Sequence, residues 1–395
     1  MTHAVELVLG VGMVGYSFMG AAHSQAWRTV GRVFDLPLTP VMAALCGRNG
    51  PRVTAAGQRL GWASVETDWK ELIKRDDVNL VDICTPGHTH CEIAVAALEA
   101  GKHVLCEKPL ANSVGEAVVM AAAAERAKAN GVRNMVGFNY RRAPAVTLAR
   151  KLVADGRLGS IRHVRAAYLQ DWIVDPEFPL VWRLDKALAG SGALGDIGAH
   201  IVDLAQYVVG ELVTGVCAVT ETFVKERPLA GVSSGLNASA SADRGTVTVD
   251  DAALFLGRFT DGALASFEAT RFATGRKNSM RIEVNGATGS LWFDLEALNE
   301  LWFYDGAESP ETAGFRRILV TEPTHPYLEA WWPPGHILGY EHTFVHETRD
   351  LVHSIAEGTD PVPSFADGLQ VQRVLAAVER SAGDGSQWTS VEEHE

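Results

Sequence analysis

Val5-Glu6-Leu7-Val8-Leu9-Gly10-Val11-Gly12-Met13-Val14-Gly15-Tyr16-Ser17-Phe18-Met19-Gly20 opens the chain with an apolar, β-branched run, closely spaced glycines and the start of a helix-like segment. Strand, glycine turn and helix in that order are what a dinucleotide phosphate needs, because the turn brings backbone N–H groups and a helix N-terminus to the anion. Two registers compete. Gly10-Val11-Gly12-Met13-Val14-Gly15 matches G-x-G-x-x-G literally, but leaves a short strand, Val5 to Val11, and puts Tyr16-Ser17-Phe18 inside the helix. The shifted register, Gly15 to Gly20, fits better: Gly15 sits at the tight turn and Gly20 where the helix packs on the sheet. Ser17 then replaces the middle glycine. The cofactor candidates at this turn are Gly15, Tyr16, Ser17, Phe18 and Met19.

Outward from this stretch, strand and helix patterns alternate. Helices are expected at 19–32, 51–60, 92–100 and from the Ser113-Val114-Gly115-Glu116 capping box to Gly131. Strands are expected at 40–46, 78–85, 103–106 and 134–138. Such alternation predicts an α/β, doubly wound, Rossmann-type domain over 1–138. An acidic strand end, expected about 20 residues beyond the fingerprint to hold the ribose, is replaced by Gly47-Arg48-Asn49. Arg48 suits adenine stacking or a 2′-phosphate and Asn49 suits ribose, so the cofactor reads as NAD or NADP.

From residue 139 the pattern turns to strands, at 161–171, 215–223, 250–259, 263–270, 280–285 and 289–294, with Asp261-Gly262 and Asn285-Gly286 turns. This predicts a second α+β domain, 139–395, with a large open-faced, mostly antiparallel sheet used for substrate and oligomerisation. Residues 227–247 and 335–339 read as loops. A final helix at 368–381 could return to the first domain.

The chain has 395 residues and a formal charge of −13, from 35 Lys and Arg against 48 Asp and Glu. That balance argues against nucleic acid and anionic membranes as partners. No apolar run reaches membrane-spanning length, Met1–Glu6 lacks a basic leader, and five cysteines carry no C-x-x-C spacing. These features predict a cytoplasmic protein with free thiols and no metal.

Two segments carry chemistry. Lys108, in Cys106-Glu107-Lys108-Pro109, follows a strand's carboxyl end, where open α/β sheets bind ligands. A solvated lysine there would look the same. In a helix over 196–210, Ile197, Ile201, Leu204, Ala205 and Val208 form an apolar face, and Asp196, His200, Asp203 and Tyr207 a neighbouring polar stripe. Gly190-Ser191-Gly192 before it would let a ligand come near. A helix-start aspartate with an incidental histidine fits the same letters. If the chemistry is alcohol oxidation, neutral His200 takes the hydroxyl proton, Lys108 stabilises the alkoxide and Asp196 orients imidazole or substrate. Tyr168, Gln170 and Trp172 share one strand face, which suits a sugar ring or plain sheet packing.

Together, Thr85-Pro86-x-x-x-His90, Glu107-Lys108-Pro109 and Asp196-x-x-x-His200 resemble the Gfo/Idh/MocA oxidoreductases over nearly the whole chain. The resemblance implies Lys108, Asp196 and His200 as the catalytic set, and Thr85, Pro86, His88, His90, Glu107 and Lys108 along the cofactor with Gly47 and Arg48. Asn139-Tyr140-Arg141-Arg142, Tyr168 to Trp172, Trp182-Arg183, Ala189 to Asp196 and Gly339-Tyr340 are similar to the family's pyranoside C3-dehydrogenase branch. That implies substrate contacts from Tyr140, Arg141, Tyr168, Gln170, Trp172, Arg183, Asp196, His200 and Tyr340. It implies a pyranose or pyranoside such as levoglucosan as substrate, and a homodimer or homotetramer. Inositol or other cyclitol oxidation, and an NAD-dependent glycosidase working through transient oxidation, are the alternatives; a non-catalytic dinucleotide sensor would have no need of Lys108, Asp196 and His200 together.

Overall fold

A computed structural model describes residues 7–234 and 237–391, with side chains outside 232–240. Met1–Glu6 and the tip of the 227–247 segment lie outside that description. The chain divides into two compact units.

The first unit alternates β1 (Val8–Val14), α1 (Phe18–Val33), β2 (Thr39–Cys46), α2 (Gly50–Leu60), β3 (Ser64–Glu66), α3 (Trp69–Lys74), β4 (Leu80–Ile83), α4 (His90–Glu99), β5 (His103–Cys106), α5 (Val114–Lys128) and β6 (Asn134–Val136). Its six strands lie in the order β3-β2-β1-β4-β5-β6, every pair parallel. This is the doubly wound order that reverses beside β1. β1, β4 and β5 are almost wholly buried, as strands covered on both faces must be.

The shifted glycine register holds. β1 runs through Gly10 and Gly12 to Val14, further than the 5–11 strand read from sequence. Neither glycine belongs to the turn: a Cβ on Gly10 would stand 1.9 Å from the Asp77 carbonyl oxygen, and one on Gly12 would press Leu72 and Val78. Gly15 has φ +105, open to glycine at little cost. A Cβ on Gly20 would stand 2.2 Å from the Gly15 carbonyl oxygen, so the helix can meet the turn only without a side chain there. The capping box is also present: Ser113 Oγ accepts from Glu116 N at 3.2 Å, and Asn112 N donates to the Glu116 carboxylate at 3.1 Å.

The second unit contains α6 (Pro144–Ala154), β7 (Ile161–Leu169), α7 (Lys186–Ala189), α8 (Ala199–Val209), β8 (Val213–Glu221), β9 (Glu226–Ser234), β10 (Asn237–Thr246), β11 (Ala252–Phe259), β12 (Leu264–Thr270), β13 (Ser279–Gly286), β14 (Gly289–Asp294), β15 (Glu300–Asp305), β16 (Arg316–Leu319) and, near the end, β17 (Thr389–Ser390). Nine strands form one mixed sheet, β16-β15-β14-β13-β7-β12-β11-β8-β17, in which only β7 and β12 pair in parallel. The strict in–out alternation of β11 and β12 separates a buried face (Phe255, Phe267, Ala269) from an open one (Leu254, Leu256, Glu268). The 227–247 segment, read from sequence as a loop, is instead the β9–β10 ribbon. Small and polar residues hide it from pattern reading, because pairing rather than propensity makes the strands.

Two helices complete the chain. α9 (Tyr340–Glu357), which sequence reading missed, belongs to the first unit, as does α10 (Phe365–Gly383) up to Leu369. The link between them is pinned to β6: Val136 N donates to Pro363 O, and Phe365 N to the Asn134 side chain. Residues 335–339 form the loop expected before α9.

Gly20→Ala should lower stability by about 1–3 kcal/mol, since a methyl group there meets backbone that cannot yield. Gly115→Ala, a helix position with open space around its Cβ, should be neutral or stabilising by up to about 1 kcal/mol. Thermal unfolding of the two variants distinguishes these opposite signs.

Candidate functional site

In the first unit the candidates gather at the carboxyl ends of β1, β2, β4 and β5. Tyr16 packs against Gly47, where an added Cβ would come within 2.0 Å of the ring. Ser17 and Phe18 are exposed at the start of α1, and the Ser17 hydroxyl makes no capping bond. Phe18 stacks on Tyr340 at 6.4 Å, and Tyr340 meets Phe344 edge-on. Tyr340, read as a substrate contact, is thus set beside the glycine turn. Arg48 is exposed at the end of β2. Asn49, read as a ribose partner, is committed elsewhere: its Oδ1 caps α2 by accepting from Arg52 N at 3.0 Å.

Thr85 and Pro86 lead out of β4, half-buried, and Thr89 Oγ1 donates to Thr85 Oγ1; His88 is exposed. His90 is buried, with Nε2 2.8 Å from Thr85 O and Nδ1 3.1 Å from Pro109 O. It therefore ties the β4 exit to the β5 exit, and burial pushes its pKa down. Glu107 is also buried. His23 Nε2 lies 3.0 Å from its Oε1, and Lys108 N donates to its Oε2 at 3.0 Å. Lys108 itself is half-buried at this turn. The N-terminus of α1, which receives no side-chain cap, directly follows the Gly15 turn, a placement that fits a dinucleotide phosphate.

Beneath the turn, His23 on α1 also places Nδ1 3.0 Å from both Asp82 oxygens, while Trp27 Nε1 donates to Asp82 at 2.7 Å. Burial works against a charged ring, but Asp82 and then Cys84 outweigh it, and the His23 pKa is raised well above its usual value. His23, Asp82 and Cys84 are the one group among the described residues close enough to contact a metal. Two of them, His23 and Asp82, are in direct hydrogen-bond contact at 3.0 Å.

In the second unit, residues 194–198 form a π-helical turn that leads into α8. The helix expected at 196–210 thus exists, but its polar stripe is not solvated. His200 and Asp203 are buried. The His200 ring lies 4.7 Å from the Tyr140 ring and 5.9 Å from the Tyr168 ring. Arg141, read as a substrate contact, is buried and forks onto Asp203 through Nε and Nη2, with its guanidinium over Tyr207. It positions α8; removing either partner would cost about 3–5 kcal/mol. Gly192 admits the Asp250 carbonyl, 1.8 Å from where its Cβ would be, so that glycine serves the chain's own backbone. The Asp250 carboxylate accepts from Gly192 N and Leu194 N and fixes the turn.

Tyr168, Gln170 and Trp172 do act together. The Tyr140 and Tyr168 hydroxyls are 2.9 Å apart; Tyr168 and Gln170 both donate to Asn278 Oδ1, at 2.8 and 2.7 Å; Trp172 Nε1 donates to Gln170 Oε1 at 3.0 Å. Asn278 was not foreseen, because one asparagine before a strand carries no pattern. Arg271 was also missed. It is fully buried at the end of β12, 5.6 Å over Trp172, with Nη1 3.7 Å from Asp196. Arg183 lies over Trp182; burial lowers its pKa and Asp196 partly restores it.

Comparison with known proteins gives this arrangement a lineage. Residues 9–138 match the oxidoreductase family with an NAD-binding Rossmann fold, and residues 146–292 match the GFO/IDH/MocA C-terminal domain. The levoglucosan dehydrogenase of Pseudarthrobacter phenanthrenivorans is 43% identical over 388 residues, 97% of this chain and 98% of that protein. An oxidoreductase domain protein from Kribbella flavida is 65% identical with a TM-score of 0.94, covering 98% of this chain and 100% of that one. A levoglucosan dehydrogenase solved with NADH and levoglucosan is 42% identical with a TM-score of 0.91, covering 98% and 100%. Among the described residues no helix is long and apolar enough to cross a membrane. The chain belongs to the Gfo/Idh/MocA family of NAD-binding oxidoreductases.

Proposed function

We propose that this protein is an NAD-dependent sugar dehydrogenase that oxidises the C3 hydroxyl of a pyranose or pyranoside, with levoglucosan as the first candidate. The observation that carries this reading is the polar chain Tyr140–Tyr168–Asn278–Gln170 beside the His200 ring. It combines ring faces with hydroxyl and amide groups, as sugar binding requires. Similarity to levoglucosan dehydrogenase over 97% of the chain supports the substrate, and the NADH complex of that relative supports NAD.

Oxidising an alcohol removes a hydride from carbon and a proton from its oxygen. When bound, the nicotinamide supplies the acceptor for the hydride. Neutral His200 takes the hydroxyl proton at a ring nitrogen. Its contacts with Tyr140 and Tyr168 restrain the buried ring. Lys108 contributes an ammonium charge to the forming alkoxide. Asp196, with a side chain 31% exposed and Arg271 near it, accepts from a substrate hydroxyl. Arg183 offers further donors to the sugar.

The same reading makes the protein a homo-oligomer, dimer or tetramer, of the cytoplasm, where its five cysteines stay free thiols. The open sheet face supports self-association: Leu254 pairs with Val219 and Leu256 with Cys217 across β11 and β8, and Leu256 is 58% exposed.

Reduced-nicotinamide absorbance, with NAD or NADP and a panel of levoglucosan, pyranoses and inositols, tests the chemistry. Turnover should be fastest with NAD and levoglucosan. Lys108→Ala and His200→Ala should each lower kcat by about 10²- to 10⁴-fold. Release of sugar from glycosides without net reduction would replace this reading with the glycosidase one. For assembly, Leu256→Asp should convert the oligomer to smaller species in light scattering, because a charge would face an apolar contact; an unchanged mass would put the interface elsewhere.

A further inference from the structure

The buried cluster of His23, Asp82 and Glu107 beside Lys108 does more than fill space. His23 links Asp82 at β4 to Glu107 beyond β5, with Nδ1 and Nε2 each 3.0 Å from a carboxylate oxygen. An ionised carboxylate only accepts, so a ring that donates to both Asp82 and Glu107 carries hydrogen on both nitrogens. Asp82 is fixed from its other side by Trp27 Nε1 at 2.7 Å, and Cys84 Sγ approaches it at 3.4 Å. Glu107 has no slack either. Its backbone N donates to Ile83 O, and its second oxygen accepts from the backbone N of Lys108. Gly137 closes the remaining side, where a Cβ would come within 3.1 Å of Glu107 Oε1. The α9 helix contributes the Phe344 ring, 5.2 Å from the His23 ring.

We propose that His23 is a positioning residue for Lys108: as a doubly protonated imidazolium it locks Glu107, and Glu107 in turn fixes the backbone at Lys108. The helix that carries His23 also carries the glycine turn at its start, so one side chain sets the Lys108 turn in register with α1. The inference rests on Lys108 acting in the reaction, as proposed above. His23 touches neither cofactor nor sugar in this scheme; it acts through Glu107. The charge is needed because a neutral ring would turn a bare nitrogen lone pair toward one of the two carboxylate oxygens that face it.

Two measurements test it on the full-length protein. The first needs no turnover: imidazole nitrogen NMR of the ¹⁵N-labelled protein, with His23 assigned by substitution. Both ring nitrogens should remain protonated at pH 7, where an ordinary histidine is mostly neutral. A neutral ring at pH 7 overturns the proposal. The second is a double-mutant cycle of His23→Asn with Lys108→Ala, read as kcat and as NADH affinity by fluorescence. His23→Asn alone should lower kcat by about 10- to 100-fold, the cost of a misplaced group, with NADH affinity changed less than about threefold. In the Lys108→Ala background it should have almost no further effect. Equal loss in both backgrounds, or an unaltered kcat in His23→Asn, overturns the positioning role and leaves Lys108 in place. An unaltered kcat in Lys108→Ala instead removes the reading of Lys108 on which this inference depends. If His23→Asn does not fold, Glu107→Gln takes its place in the cycle, with the same non-additivity expected.

Discussion

A carboxylate taken out of water must be met by donors or by a cation, and in both units this requirement fixes the segments that carry the candidate chemistry. Asp82 and Glu107 are held by His23, Trp27 and the Lys108 backbone. Asp250, half-buried, takes two backbone N–H groups from the turn before Asp196. Asp203 takes the Arg141 guanidinium and orients α8. Asp251 accepts from Phe223 N and Val224 N, although burial still raises its pKa. These carboxylates are structural anchors, and Glu107, Asp250 and Asp203 hold the segments that carry Lys108, Asp196 and His200.

The same constraint explains which parts of the fold were legible. The Rossmann half was readable because its signals are local: the β1 run, the Ser113 capping box and the apolar strands at 80–83 and 103–106 depend on residues near in sequence. The register of the glycine turn was readable too, because a helix beginning at Phe18 requires glycine at 15 and 20. α9 escaped although Phe344, Thr348, Leu351 and Val352 are buried at helical spacing. Its inward face also carries His346 and Glu347, which a hydropathy pattern counts as surface. The β9–β10 ribbon escaped because nothing in its composition favours a strand.

In the candidate site, residue type was legible and environment was not. The Tyr168, Gln170, Trp172 alternation put three groups together that hydrogen bonds do link, although β7 ends at Leu169 and the last two lie beyond it. It could not reveal Asn278, more than a hundred residues later, which joins Tyr168 to Gln170. His90, Glu107 and Arg141 were recognised as special letters. Their partners show that they hold loops and helices, work that sequence alone cannot separate from ligand contact.

The π-helical turn at 194–198 alters how the Asp196-x-x-x-His200 spacing should be read. On a regular α-helix these two residues would share one stripe with Asp203 and Tyr207, and the whole stripe would have one environment. The π turn closes with Ala199 N donating to Leu194 O, adding a residue between the Asp196 segment and α8. Asp196 is thereby released from the stripe. It remains partly exposed near Arg271, while His200 and Asp203 are buried among Tyr140, Tyr168 and Arg141. One polar group is available and the other is held rigid, the division that an accepting carboxylate and an oriented proton carrier require. An irregular turn costs helix regularity, and π turns recur where that cost is offset by function.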